Sequence, residues 1–368
     1  MHTVGDVIRI IESSYPLCYQ EPYDNSGLQV GQMGEKVTGI MLSVETTEAV
    51  LEECVDKGCN FLLSHHPILF KPLKRVTMCT YQERCLAFAI KHNIAIYALH
   101  TSADNILQGI NFFVANKVGM QIDGRRPLCP AKGGAYKLQV YVPKTHQKIV
   151  REALHQEGIG VSGKYSSCSF SSEGVGRFIP RKGASPFIGK EIGVMEQVSE
   201  VCVSMLVEQH LLSAALGTIK RVHPYEEPAY EIIPLLGQSV QVGSGLLGFL
   251  PAPVPVNSFL NQLKETFNTS VVAHSEITQK MISSVAICGG SGGPFLEQAI
   301  AAGADAYVTG EAKYNDFLDA QGRINLVVLG HHTSEQVAID LFEQLLHQIT
   351  QEVSLYKSQR DINPVRFL

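Results

Sequence analysis

The sequence predicts an α/β protein: a mostly parallel sheet with flanking helices, split by an inserted α+β domain. Three observations predict it. Strand and helix patterns alternate through the first 130 residues, the rhythm of βαβ units. The texture changes over residues 131–239, and the alternation resumes over 240–368. At 368 residues the chain is also too long for one ordinary core.

The elements follow in order. MHTVGDVIRIIESSYP reads as an amphipathic helix with Thr3 as N-cap and an apolar face of Val7, Ile8, Ile10 and Ile11. VTGIMLSVE (37–45) is a strand, and TTEAVLEECVDKG is a helix closed by Gly58. NFLLSHH is a strand, YQERCLAFAIKHN a helix and IAIYALHT a strand. In the middle, KLQVYVPKTHQKIVREALHQEG reads as strand, turn and helix. A Ser/Gly-rich stretch follows, then strand, helix and strand through EVCVSMLVEQHLLSAALGTI and HPYEEPAYEIIPL. That order suggests a small α+β sandwich on an antiparallel sheet. Afterwards SSVAICGGSGG is a strand and glycine turn, PFLEQAIAAG a helix, ADAYVTGE and INLVVLGHH strands, and SEQVAIDLFEQLLHQI a long amphipathic helix.

Composition narrows the function classes. The chain is 45% hydrophobic and 18% charged, with a net charge of -5 that argues against a broad nucleic-acid backbone binder. No apolar run of about 18 residues occurs, so no transmembrane helix is expected. The N-terminus lacks the basic start and apolar run of a signal peptide. Nine scattered cysteines without a C-x-x-C pair suit reduced thiols in a cytoplasmic protein. Cys85 and Cys288 lie in apolar runs and read as core.

The chemistry gathers at the strand ends. His65 and His66 follow FLL. His100, Thr101 and Asp104 follow IAIYAL. Glu311 follows AYVTG, and His331, His332 and Glu335 follow NLVVLG. Ligands of open parallel sheets bind outside the carboxyl ends of the strands. Five of the thirteen histidines lie at three such ends. Imidazole with carboxylate suits zinc foremost, then iron, manganese or nickel, and this many donors suffices for two ions. Adjacent residues of an extended chain face opposite sides, so His65 and His66 must either curl over the edge or face different ions. His331 and Glu335, four apart, share a helical face, whereas His332 points elsewhere. Glu335 is equally open to a reading as a carboxylate favoured by a helix N-terminus.

Two further motifs are open. CGGSGG (Cys288–Gly293) is either an anion pocket of backbone amides or a tight strand-to-helix turn. YDNSGLQVG holds Asp24 and Asn25, which either shape a turn or reach the pocket. His223, Glu226 and Glu227 of HPYEEP read as a rigid turn entering a strand rather than as part of the main site.

YDNSGLQVG, SHHPILF, HTSADN, CGGSGG, DAYVTGE and GHHTSE together resemble the GTP cyclohydrolase 1 type 2 homologue family, also called the Nif-three-like dinuclear-metal family. The resemblance covers about 1–130 and 240–368. The middle resembles the insert of the longer bacterial members, which is similar to the ferredoxin-like CutA and nitrogen-regulatory protein fold. The resemblance implies metal ligands at His65, His66, Asp104, His331 and Glu335, holding two divalent ions per chain. It also implies a toroidal hexamer of paired trimers and a link to GTP ring opening. Two departures stand out: Glu45 replaces the family's aspartate, and Lys313, Tyr314 and Asn315 replace one or two histidines after TGE. The expectation is a metal-dependent hydrolase acting on a nucleotide or other phosphorylated small molecule, with His100 or Glu311 as a base. The alternative is a non-catalytic metal-binding scaffold whose inserted domain senses a ligand or drives oligomerisation. No membrane and no nucleic-acid partner are expected.

Overall fold

Two sheets, rather than the single one expected, organise the outer part of the chain. The computed structural model describes residues 2–189 and 191–367. The chain divides into two compact units, Met1–Pro130 with Val240–Leu368, and Ala131–Ser239.

The first half of the outer unit runs α1 (Val4–Ser14), β1 (Gly27–Val30), β2 (Gly39–Ser43), α2 (Glu48–Asp56), β3 (Phe61–Ser64), α3 (Tyr81–Lys91), β4 (Ala95–Ala98), α4 (Thr101–Asp104), α5 (Ile110–Val118) and β5 (Arg126–Lys132). Helix α1 starts as its sequence directs: Thr3 Oγ1 accepts from Asp6 N and Asp6 Oδ2 accepts from Thr3 N, a reciprocal capping box. Helix α2 is capped by Thr47, and Gly58 just beyond it takes φ +68°.

The inserted unit holds β6 (Ala135–Pro143), α6 (Gln147–Gln156), β7 (Phe170–Phe178), β8 (Glu196–Glu208), α7 (Leu212–Val222) and β9 (Tyr230–Pro234). Its sheet has the order β7-β8-β6-β9, and every pairing is antiparallel. Strand β7 occupies part of the Ser/Gly-rich stretch that periodicity alone did not mark. Its nine residues are almost all exposed, so no apolar alternation announces it. Val140, Val203, Val150 and Ile219 are among the residues of this unit's core.

The chain continues with β10 (Gln238–Pro255), α8 (Val256–Thr266), β11 (Ala273–His274), β12 (Met281–Cys288), α9 (Leu296–Ala301), β13 (Ala306–Thr309), α10 (Tyr314–Ala320), β14 (Asn325–Val328), α11 (His331–Glu335), α12 (Val337–Leu346) and β15 (Ser354–Lys357). The long helix expected from Ser334 is two helices, broken at Gln336.

In the outer unit one sheet has the order β1-β4-β3-β2-β15, parallel except at β1. The other has the order β11-β14-β13-β12-β10-β5, with β12, β13 and β14 parallel, β10 antiparallel to β12 and β11 antiparallel to β14. Strand alternation explains the layers. Ile40, Leu42, Phe61, Leu63 and Tyr97 of the first sheet share one core with Val285, Ile287, Val308 and Val327 of the second, filled between by α1, α5, α8 and α12. The opposite face of the first sheet, with Met41, Leu62 and Ile96, is covered by α2 and α3. The opposite face of the second, with Ala286, Tyr307 and Leu326, is covered by α9 and α10. No described helix is long and apolar enough to cross a membrane.

Candidate metal centre

Three strands of each sheet deliver their carboxyl ends to one place. From the first sheet come Glu45 after β2, His65 and His66 after β3, and His100 after β4, with Asp104 at the end of α4. From the second come the glycine turn after β12, Glu311 after β13, and His331 with Glu335 on α11. The single sheet edge expected from the sequence is thus two edges facing one cleft. Strand β3 ends at Ser64, so the pleat no longer separates His65 from His66, and their ring centroids lie 4.9 Å apart.

Each of four histidines turns Nδ1 towards an oxygen that can only accept. His65 Nδ1 is 2.9 Å from Leu99 O, and His66 Nδ1 is 2.7 Å from Glu45 Oε1. His100 Nδ1 is 2.7 Å from Asp24 Oδ1, and His331 Nδ1 is 3.0 Å from Glu311 Oε1. These contacts place the ring proton on Nδ1 and leave an Nε2 lone pair on each ring. Three acceptors then crowd together: Glu335 Oε2 lies 3.0 Å from Nε2 of both His66 and His331, and those two nitrogens are 3.3 Å apart. Among the described residues, Glu335 Oε2 and the fully buried His65 Nε2 have no hydrogen-bond partner. His65 Nε2 is 3.6 Å from Glu335 Oε1 and 4.0 Å from Asp104 Oδ1. Convergent lone pairs repel unless a cation sits among them. Two overlapping groups have metal-binding spacing, His65/His66/His100 and His66/His331/Glu335, and they share His66.

Where no cation sits there, the carboxylates favour a second proton on the rings in its place. Burial works against a charged His65, His66 and His331, yet the facing carboxylates outweigh it, raising all three and pushing His66 up to about 10. Burial likewise opposes ionisation of Glu335, but three histidines hold it well below the usual carboxylate range. Asp104 is raised, mainly by burial. Asp24 is driven far down despite its burial, because His100, Thr101 and Ser26 all hydrogen-bond its carboxylate.

Three amides of the glycine turn are engaged within the protein. Gly289 N donates to Asn111 Oδ1, Gly290 N to Ser334 Oγ and Gly292 N to Thr309 Oγ1, at 2.9, 3.0 and 3.1 Å. Its glycines also make room: a Cβ on Gly290 would stand 2.1 Å from Glu335 Oε1, and one on Gly310 would stand 2.5 Å from Ser334 Oγ. The turn is therefore the close-approach device that lets Glu335 reach the histidines.

The cleft has a volume of about 1220 Å³ and is lined by His66, His100, Asp104, His331 and Glu335 among others. Lys313, one of the departures, lines it, whereas Tyr314 is 78% exposed. His332 turns to Gln336 and Asp361. In the inserted unit both nitrogens of His223 are engaged, Nε2 with Tyr141 O and Nδ1 with Tyr225 N, as suits a turn. Sequence reasoning left open the part of Asp24, which the D-N-S-G turn signalled. It gave no role to Glu45 as a partner of His66, or to Asn363, Pro364, Val365 and Phe367, which line the cleft without any motif.

The family model for Duf34/NIF3 (NGG1p interacting factor 3) matches residues 2–364. A GTP cyclohydrolase 1 type 2 homolog from Halalkalibacterium halodurans is 32% identical over 367 residues, covering 98% of each chain. One from Bacillus subtilis shows the same identity and coverage. Among solved structures, a Bacillus cereus protein related to NIF3 aligns at TM-score 0.85 and 30% identity over 100% of this chain and 99% of that one. A Staphylococcus aureus protein aligns at TM-score 0.77 and 25% identity over 100% and 99%.

Proposed function

The chain belongs to the Duf34/NIF3 (NGG1p interacting factor 3) family, and from that premise we propose that its outer unit is a dinuclear-metal hydrolase of small molecules. The ligands are His65, His66, Asp104, His331 and Glu335. The observation that carries the reading is the triangle of His66 Nε2, His331 Nε2 and Glu335 Oε2, three mutually facing acceptors whose rings are held by other oxygens. When bound, a pair of divalent cations supplies Lewis acidity, making a water more acidic and polarising the bond to be cleaved. Zinc fits the mixed imidazole and carboxylate set, as do iron, manganese and nickel.

The protein's own part is orientation and proton handling. Glu45, Glu311 and Leu99 O fix the His66, His331 and His65 rings, as outer partners of metal-bound histidines do. Asp24 fixes the His100 tautomer and leaves its Nε2 to take a proton from the attacking water. Three amides of the glycine turn are spent internally, while Ser291 and Gly293 line the cleft; the substrate is a nucleotide or other phosphorylated small molecule held by the cations and the cleft walls.

Elemental analysis of protein purified without added metal is the first test. About two equivalents per chain, lost on Asp104→Ala with the fold retained, support the reading. A substrate panel run with and without chelator then tests hydrolysis. Fewer than one equivalent after reconstitution sinks it.

One observation favours a scaffold role for the inserted unit alongside this chemistry. Strand β7 is an edge strand of its sheet and leaves Phe170 71% and Val175 53% exposed, a surface suited to pairing with another copy. We assign this unit a ferredoxin-like, CutA-like fold and a part in a toroidal hexamer. A monomer at micromolar concentration in analytical ultracentrifugation removes that assignment. Nine free thiols suit the reducing cytoplasm.

A further inference from the structure

The segment after β15 is tied down over its first four residues. Ser358 Oγ donates to Glu53 Oε2 at 2.6 Å, and the backbone amides of Gln359 and Arg360 donate to the same carboxylate at 3.1 and 3.2 Å. Arg360 also donates to Asp56 Oδ2. Val44 N, next to Glu45, donates to Asp361 Oδ2. The other oxygen of Asp361 is buried and lies 3.6 Å from His332 Nε2, and neither atom has a hydrogen-bond partner among the described residues. The Gln336 side-chain amide faces His332 Nδ1 at 3.2 Å, so the ring proton stands on Nε2 and points at Asp361. The segment is therefore pinned between the strand end that carries Glu45 and the helix that carries His331 and Glu335.

Beyond Asp361 this anchoring stops. Among the described residues the hydrogen bond recorded there is local, Val365 N to Asn363 Oδ1 at 2.9 Å. Yet Asn363, Pro364, Val365 and Phe367 line the metal cleft. Val365 is 57% and Phe367 54% exposed, apolar side chains beside a polar centre. Tyr23 and Phe70, an edge-to-face pair with centroids 6.5 Å apart, line the same cleft. Among the described residues the cleft is lined by six carboxylates (Glu21, Glu45, Asp104, Glu311, Asp316 and Glu335) against one basic side chain besides its histidines, Lys313.

We propose that residues 362–367 are a strap that closes over the metal cleft, and that Val365 and Phe367 are specificity-determining contacts for the apolar body of the substrate. The proposal rests on the metal-centre reading and adds the substrate class: a molecule gripped by an apolar, ring-bearing body. The strap excludes water and competing ligands from the cations while substrate is held.

The absence of tryptophan makes the test direct. Phe367→Trp introduces a single indole. Loading with Co(II), followed by its own absorption bands, should quench that emission by energy transfer, and EDTA should restore it. Truncation after Asp361 should leave metal content and melting temperature unchanged while speeding EDTA extraction of the metal severalfold. An emission indifferent to bound Co(II), or an extraction rate unchanged by truncation, overturns the strap. A protein that takes up no Co(II) sinks the metal reading instead. The strap is then judged on metal-free protein by acrylamide, where quenching no more than half that of free N-acetyltryptophanamide supports it and equal quenching overturns it.

Discussion

Gly290→Ala isolates the role of the glycine turn. Gly290 has φ +59°, and an added Cβ would stand 2.1 Å from Glu335 Oε1, more than an ångström inside ordinary van der Waals contact. The left-handed backbone alone costs about 1–2 kcal/mol for a residue with a Cβ. The carboxylate must also swing away from His66 and His331, whose Nε2 atoms it approaches at 3.0 Å. Losing even an outer support of a metal site costs about 10–100-fold in affinity, or about 1.4–2.8 kcal/mol, and here a ligand itself is moved. Gly322→Ala is the control: Gly322 has φ +69° with nothing within 4 Å, so it bears the backbone cost alone. In urea unfolding of metal-free protein Gly322→Ala should lose about the backbone cost and Gly290→Ala at least as much. In a zinc competition titration against a chromophoric chelator, Gly290→Ala alone should weaken binding by at least the outer-support figure. Wild-type zinc affinity in a folded Gly290→Ala protein would refute the claim that this turn exists to admit Glu335.

Three further outcomes follow from the same geometry. Asp24→Asn replaces a buried acceptor of bonds from His100, Thr101 and Ser26 by an amide that cannot accept them all; it should cost about 1–3 kcal/mol in urea unfolding and about 10–100-fold in metal affinity by titration. Phe342→Ala empties a fully buried position in the core between the two sheets and should cost about 3–5 kcal/mol by thermal or urea unfolding. Thr3, through its backbone and side chain, and Arg9 hold Asp6 down to about 2 from its usual 3.8. A lowered carboxyl stabilises the fold above its unfolded pKa and loses that contribution as pH falls through the folded one. Asp6→Asn should therefore be less stable than wild type at neutral pH, and the gap should close as acid brings the pH from 3.8 towards about 2; a gap of constant size down to that limit contradicts the capping-box account.

How much of the site was legible depends on what each residue's role rests on. His65, His66, His331 and Glu335 were readable because each follows a short apolar run, and the direction of a parallel strand settles which side its following loop joins. The i, i+4 spacing of His331 and Glu335 is likewise a local property, realised when α11 begins at His331. Strand β7 was not readable, since a strand exposed along almost its whole length carries no apolar alternation. The glycine turn was ambiguous because glycine serves an amide nest and a close approach equally well, and only the neighbours' positions distinguish them.

The sequence alone, then, determined the local elements of this protein, the inserted segment and the chemical kinds gathered at its strand ends, since propensity, capping and periodicity act over a few residues. Tertiary structure decided what meets what: that two sheets rather than one present their edges, that Asp24 grips His100 and Glu45 grips His66, and that Gly290 yields space to Glu335. Those contacts join residues far apart in the chain, and their distances are set by how two sheets pack on a shared core, a quantity that no local pattern encodes.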